Sequence, residues 1–434
     1  MNIVIPKPVN EVLNLINENN YEAYITGGAI RNMVMGEKIK NYNISTNASI
    51  EQIAKVLKDY NTYECGHNHK ALAVVNSKFP MNIVEYCGDN KNSLESHLAQ
   101  MDFTMNALAY SDEDGLIDYS TGLIDIRDKV IKANVEEEKV FTKDPLRILR
   151  AIRLSAEYGM RIDSDTKEYM YDNKELLKDV APERIRDEFN KILECPRCEF
   201  YIKKYFDIFL TFLPELSLME NFVQCNPRHI YDVLDHTLVA LKCIEPRLDL
   251  RLAMLFHDIG KPLTFVQDEN GVGHFPNHSK KSAEITRDIL NRLKYNKKII
   301  QRVTKLIEYH DYKLPESDEQ LKLFISKFGS ENLEDLYKIK KANQYGKNPA
   351  FISDLTKINS DHERVTLLSK QSLLKRKALK ISGKDLVELG FANEEIGSVL
   401  DQLYKAVLLS EIKNNHDKLM AYASNLKVET KKVV

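Results

Sequence analysis

Thr26-Gly27-Gly28-Ala29-Ile30-Arg31 and, shortly after it, Lys40-Asn41-Tyr42-Asn43-Ile44-Ser45-Thr46 decide how this chain is read. A Gly-Gly turn running into a helix offers backbone N–H groups to an anion at the helix start. When an Asp-x-Asp pair follows, its two carboxylates can hold a pair of Mg²⁺ ions over a phosphorus atom. In this chain the pair is Asn41 and Asn43. An amide carbonyl can ligate a metal, but it brings no negative charge, and Mg²⁺ prefers hard anionic oxygen. The frame of a polyphosphate site is present, and its charged metal ligands are replaced by neutral ones.

Outward from this stretch, 434 residues imply about three domains at roughly 150 residues each. With 43% hydrophobic and 29% charged residues the composition is that of an ordinary globular protein. A formal charge of −2 gives no overall basic signal, so any nucleic-acid contact must rest on local patches. Two patches stand out: Arg292, Lys294, Lys297, Lys298, Arg302 and Lys305 in one, and Lys370, Lys375, Arg376, Lys377 and Lys380 in the other. Solvated helix faces would carry the same charges. The start, Met1-Asn2-Ile3-Val4-Ile5-Pro6, lacks the apolar core of a signal peptide, and no apolar run is long enough for a bilayer, which implies a cytoplasmic protein without membrane contact. Six scattered cysteines imply reduced thiols, and Cys195-Pro196-Arg197-Cys198 is half a zinc knuckle that no second pair completes.

The pattern predicts an α+β fold. Residues up to about 125 read as a mixed α/β head. Val9, Leu13 and Ile16 are spaced for one helix face, and Ile50, Ile53, Ala54 and Leu57 for another. Residues 71–75 and 82–86 read as strands, with turn residues 76–80 between them. From Asp144 onward the pattern is mostly α-helical, with Pro145 in a first turn and Leu146, Leu149, Ile152 and Leu154 continuing an apolar stripe. Ala253 to Phe256 reads as an apolar helix ending in His257-Asp258 and closed by Gly260.

These motifs resemble the class II nucleotidyltransferases, the bacterial CCA-adding enzymes and their poly(A) polymerase relatives, over essentially the whole chain. The family's Gly-Gly-x-x-Arg-Asp turn is matched by Gly27, Gly28 and Arg31, with Asn32 in place of the aspartate. Its Asp-x-Asp-x-x-Thr motif is matched at Thr46, with Asn41 and Asn43 at the metal positions, and Glu85 matches the third acidic group. Its Arg-Arg-Asp-Phe-Thr-x-Asn-Ala motif appears as Gln100-Met101-Asp102-Phe103-Thr104-Met105-Asn106-Ala107, which keeps Asp102 and Asn106 for a ribose and loses both arginines. Asp144-Pro145-Leu146-Arg147 with Arg150 and Arg153 matches a helix on which the resemblance gives Asp144 and Arg147 the base edge of CTP or ATP. The same match assigns phosphate contacts to Arg150 and Arg153, while Glu183-Arg184 and Glu188 match a buttressing helix. Departures also occur at Cys87-Gly88 and Asn343, so the losses read as divergence.

The resemblance implies four parts: a nucleotidyltransferase head at 1–125, a helical neck at 126–220, an HD-type helical domain at 221–345 and a helical tail at 346–434 that grips RNA. His236, His257, Asp258, His278 and His310 follow the pattern of HD-domain metal phosphohydrolases, and imidazole with carboxylate suits a divalent transition metal or Mg²⁺. The head's partners would be the 3′ end of tRNA or another RNA, together with CTP or ATP. Its Mg²⁺-assisted transfer is expected to be impaired by the amide pair, because both the metal ligands and the triphosphate arginines are gone. The alternative is a phosphohydrolase acting on a phosphomonoester or 2′,3′-cyclic phosphate, with the head as a binding module.

Overall fold

The computed structural model describes residues 3–65, 71–76, 78–86, 93–134, 137–371 and 378–432. The chain divides into two compact units, 1–214 and 215–434. Among the described residues no helix is long and apolar enough to cross a membrane.

The first unit is built on a seven-stranded sheet of β1 (Ala23–Thr26), β2 (Tyr42–Thr46), β3 (Thr62–Cys65), β4 (Ala71–Val74), β5 (Met81–Glu85), β6 (Leu108–Ser111) and β7 (Gly115–Asp118). The strand order is β3-β4-β5-β2-β1-β6-β7, and only β2 and β5 run parallel. Helix Lys7–Glu18 buries Val9, Val12, Leu13 and Ile16, the expected stripe. Helix Ile50–Val56 starts at a capping box in which Ser49 and Gln52 satisfy each other's backbone N–H. Ile50, Ile53 and Leu57 are buried there, but Ala54 is exposed, because a methyl group lends little apolar area to a face already filled by larger side chains. The expected turn spans Ser77, and the departures at Cys87-Gly88 lie outside the described residues.

Helix Leu146–Tyr158 leaves the head and packs its buried Leu149 and Ile152 near helix Pro182–Glu194, which buries Ile185, Phe189 and Ile192. Leu149 has no exposed surface, so truncation to alanine there costs about 2–5 kcal/mol.

Among the described residues the second unit is helical apart from one short strand pair. Its helix Leu248–Phe256 is buried on every side, with Leu250, Leu252, Ala253, Met254, Leu255 and Phe256 all at 0% exposure. Its last five residues, Leu252 to Phe256, are all apolar, and a stretch apolar all round must run through the core, so it carries the following His257-Asp258 into the interior. Gly260 does not close this helix in a left-handed turn, as the sequence led us to expect. It has right-handed dihedrals, and a Cβ there would lie 2.6 Å from the backbone N of Ser282. Close packing, not a helix stop, requires glycine. Of the two basic patches, Arg302 is drawn into ion pairs with Asp249 and Asp335, and Arg292 pairs with Glu215. Lys375, Arg376 and Lys377 lie outside the described residues. The tail folds around Leu386, Phe391, Leu403 and Leu419.

Candidate functional sites

β1 runs into Gly27, whose φ of 74° is a left-handed conformation open to glycine, and helix Gly28–Met35 follows directly. Thr26 pairs in register with Asn43 on β2, so the Gly-Gly turn and the asparagine pair meet at one end of the sheet. A cavity of about 460 Å³ opens there, walled by Gly27, Gly28, Arg31, Asn41, Asn43, Asp102, Asn106, Arg150 and Arg153 among others. Nine residues expected to act together therefore do converge.

Their polar groups form one network. The Arg31 guanidinium donates to Asn106 Oδ1 at 2.6 Å, to Asn32 Oδ1 at 2.8 and 3.0 Å and to the Tyr158 hydroxyl at 2.9 Å. Asn106 Nδ2 donates to Asp102 Oδ1 at 2.7 Å, and Arg150 Nη1 lies 2.8 Å from Asp102 Oδ2. Burial alone would raise the Asp102 pKa, but the Arg150 guanidinium outweighs it and holds the carboxyl below its usual range. Arg153 bridges Glu188 at 2.7 Å and Glu157 at 2.8 Å. Asn41 Nδ2 points at Asn43 Oδ1, 3.4 Å away. Five cations on the wall (Arg31, Lys40, Arg150, Arg153, Lys191) face three carboxylates (Asp102, Glu157, Glu188), which leaves a positive cavity suited to phosphate.

Three expected members do not join it. Glu85 pairs with Thr46, three positions along β2 from Asn43, which itself sits opposite Asn82. At about 3.3 Å per residue that is roughly 10 Å away, and an odd step turns Glu85 to the other face of the sheet. Arg147 is turned to backbone, with Nη2 3.0 Å from Gln100 O and Nη1 3.5 Å from Val140 O, and Asp144 is held by Arg184 at 3.0 Å. Neither is on the cavity wall. Mg²⁺ does not fit the sheet edge: its two nearest donors are amides, and each carboxylate on the wall is already matched to a guanidinium or ammonium.

In the second unit the apolar core helix delivers Asp258 to the centre of four imidazoles. His236 Nε2 and His257 Nε2 stand 3.2 and 3.1 Å from Asp258 Oδ2, and His278 Nε2 and His310 Nε2 stand 3.4 and 3.5 Å from Oδ1. All five predicted residues are buried and share one site. Each ring is oriented through Nδ1, which donates to a backbone carbonyl: His236 to Gly346, His257 to Met254, His278 to Phe275 and His310 to Ile307, at 2.7 to 2.9 Å. A neutral imidazole so tethered carries its lone pair on Nε2. Burial pushes His236 down and His310 down to about 4, so those rings are neutral.

The Asp258 carboxylate faces the neutral rings of His236 and His310 and, against the burial that would lower it, draws the His278 pKa up, so this is a site asking for positive charge. Lys261 supplies one, with Nζ 2.7 Å from Asp258 Oδ2. Even so, His257 Nε2 and both Asp258 oxygens are buried with no aligned hydrogen-bond partner. Burial would raise the Asp258 pKa, but His257 and Lys261 hold it well below the usual carboxylate range. A divalent cation fits here on donor chemistry and on these orphaned atoms.

Sequence reasoning missed Lys261 and gave Asn343 no place in the site. Asn343 Oδ1 lies 3.0 Å from His236 Nε2, where an aspartate would add an anionic ligand. The departure from the family's aspartate at Asn343 was the available signal. Cys195 and Cys198 are buried and join no cluster of metal ligands among the described residues.

Three family models match in chain order: the poly A polymerase head domain over residues 23–132, the probable RNA and SrmB-binding site of polymerase A over 159–219, and the HD domain over 230–344. A CCA-adding enzyme of Leuconostoc mesenteroides is 32% identical over 195 residues, covering 42% of this chain and 48% of the relative. The match thus spans about half the length of that relative. A CC-adding tRNA nucleotidyltransferase of Thermus thermophilus is 28% identical over 320 residues, 70% of this chain and 71% of the relative. The solved structure of the Bacillus stearothermophilus CCA-adding enzyme in complex with CTP superposes with a TM-score of 0.69 at 22% identity, covering 99% of this chain and 100% of that one.

Proposed function

From a chain that carries a poly(A) polymerase head, the RNA-binding segment of those polymerases and an HD domain, and that is homologous to the CCA-adding enzymes, we infer a protein that binds CTP or ATP and the 3′ end of tRNA or another RNA in the cytoplasm. Its nucleotidyl transfer is severely impaired. The observation that carries this reading is the amide pair at the sheet edge: Asn41 and Asn43 face each other in a cavity that still holds Arg31, Asp102, Asn106, Arg150 and Arg153. Guanidinium groups and the helix start can grip phosphates without a metal. Transfer needs more, because charge builds on the phosphoryl oxygens as the bond exchanges and the metal normally takes that charge. In this reading Asp144 and Arg147 reach the base only after releasing Arg184 and the backbone carbonyls they now hold. Radiolabelled CTP and ATP offered with a tRNA lacking its 3′ end should bind with little incorporation. Robust addition at ordinary enzyme levels refutes the proposal.

A second reading is favoured by the orphaned acceptors around Asp258: hydrolysis of a phosphoester at a divalent metal held by His236, His257, Asp258, His278 and His310. The metal would supply Lewis-acid charge to a phosphoester oxygen and lower the pKa of water. The chain itself fixes each imidazole through its Nδ1–H and sets Lys261 beside Asp258, where the ammonium can meet the phosphate's charge. Metal analysis of purified protein, with His257→Ala as control, tests the binding; a 2′,3′-cyclic nucleotide assay tests the hydrolysis. Unchanged metal content in His257→Ala removes this reading.

A further inference from the structure

The turn that joins helix Pro182–Glu194 to helix Cys198–Lys204 is Cys195-Pro196-Arg197-Cys198. The ring of Pro196 fixes its φ near about −65°. Arg197 has φ 56° and ψ 32°, in the left-handed region that a side chain rarely enters. Its guanidinium is held 4.7 Å from the centre of the Phe200 ring. Proline followed by a left-handed residue is the signature of a type II turn, whose first and fourth Cα atoms lie within about 7 Å of each other. Disulfides span Cα atoms about 4.4–6.8 Å apart. The backbone thus sets two reduced cysteines at a spacing that a disulfide can bridge, and does so through a strained residue.

Cys195 also opens on a cavity. It lines a space of about 200 Å³ with Lys40, Arg153, Glu157 and Lys191, and these four also wall the cavity of about 460 Å³ in the head. The two spaces are therefore contiguous. Cys195 is 7% exposed and Cys198 0%, so a small oxidant in that space meets the first sulfur and not the second. The Cys195 S–H donates to the Lys191 carbonyl at 3.1 Å, in the last turn of helix Pro182–Glu194. Lys191 Nζ lies 3.0 Å from Glu188 Oε1, and Glu188 Oε2 holds Arg153 at 2.7 Å. One line of contacts runs from the Cys195 sulfur to a guanidinium on the wall of the head cavity.

We propose that Cys195 and Cys198 are a reversible thiol–disulfide pair that responds to hydrogen peroxide and, when oxidised, weakens the grip of the head cavity. The Cys195 sulfur attacks one peroxide oxygen, the O–O bond breaks, and the leaving hydroxide takes the thiol proton as water. The Cys198 sulfur then attacks the sulfenic sulfur of Cys195, and its proton leaves with the displaced hydroxyl as a second water. Two thiols and one peroxide become a disulfide and two waters. A dithiol reductant reverses the step by exchange. To reach Cys198, the Cys195 sulfur gives up the Lys191 carbonyl, which loosens the helix end that carries Lys191 and Glu188. Only the effect on nucleotide rests on the binding reading above; the disulfide does not.

The test is peptide mass mapping of the full chain after hydrogen peroxide, with remaining thiols alkylated before digestion. The peptide holding both cysteines should lose two hydrogens, take no alkyl group and regain both thiols in dithiothreitol. Cys198→Ser should stop at a sulfenic acid on Cys195, captured by dimedone, and Cys195→Ser should leave Cys198 unoxidised. Amide exchange at residues 191–195 should quicken on oxidation with no ligand present. CTP should bind the oxidised chain up to about tenfold more weakly than the reduced one, the worth of one charge-assisted contact. Cys195→Ser, whose hydroxyl can still donate to the Lys191 carbonyl, should show one affinity before and after peroxide. The proposal is overturned if both cysteines stay alkylatable under peroxide that oxidises the exposed Cys225. Oxidation of Cys198 in Cys195→Ser overturns it too, as does a disulfide that forms with amide exchange and CTP affinity unchanged. A reduced chain that binds no CTP removes the binding reading, while the disulfide and the loosened helix end, both read by mass, stand.

Discussion

The sheet edge of the head and the histidine cluster at the centre of the HD domain satisfy their polar groups in opposite ways. At the sheet edge the amides of Asn41 and Asn43 face each other, and the neighbouring Asp102 is fully engaged by Arg150, Asn106 and the Phe103 backbone. Around Asp258 the orienting hydrogen bonds of four imidazoles are kept while His257 Nε2 and both carboxylate oxygens stay without aligned partners. A site whose acceptors are satisfied internally has no remaining need for a cation. One whose acceptors are oriented and orphaned still pays desolvation that a cation would offset. In the proposed reading the first pocket binds without a metal and the second holds one, and Asn343 Oδ1, 3.0 Å from His236 Nε2, brings that second site no charge.

The strongest way to break this contrast is to return the charge to the head. Asn41→Asp with Asn43→Asp should raise CTP incorporation into truncated tRNA by about 10²–10³-fold, the scale of one lost electrostatic contact in a transition state. No gain would mean that Gln100 and Met101, which stand where the resemblance expects arginines, disable transfer by themselves. In the other region, His257→Ala should lower affinity for Mn²⁺ by about 100-fold or more, read from bound metal after dialysis. Asn343→Asp should sharpen the contrast by raising that affinity about tenfold, since it adds an anionic oxygen beside His236. An unchanged affinity would show that Asn343 lies outside the coordination sphere.

Smaller effects probe the head's network. Arg150→Ala leaves the buried Asp102 without its main counter-charge and should cost about 1–3 kcal/mol in urea unfolding. Adding Asp102→Asn should recover part of the loss, as expected for coupled neighbours. The acid limb is subtler. Because the Asp102 pKa is held below 3.8 in the folded chain, its contribution is fully present above 3.8 and fades as pH falls through the lower folded value. The stability gap between wild type and Asp102→Asn should therefore be flat above that pH and shrink below it. A gap that grows toward acid would mean that Asp102 is not held as a carboxylate.

The head's strands, the neck helix and the HD helix were legible because their apolar residues recur at the period of the element they form, and because each motif is local in sequence. The convergence of Gly27, Gly28 and Arg31 with Asp102, Asn106, Arg150 and Arg153 followed from resemblance. No periodicity links residues 31 and 106, yet their side chains meet at 2.6 Å. Glu85 was misplaced for a related reason: a strand's pattern gives its faces, but only the register with β2 says which residue stands beside Asn43.

What the sequence by itself determined was chemistry: which groups can carry charge, and that Asn41, Asn43 and Asn343 cannot. What only the tertiary structure decided was satisfaction. Hydrogen bonds and ion pairs are fixed by distance in space, so Asp102 and Asp258, alike on paper, come out as one carboxylate with aligned partners and one that has the Lys261 ammonium beside it but no aligned hydrogen bond.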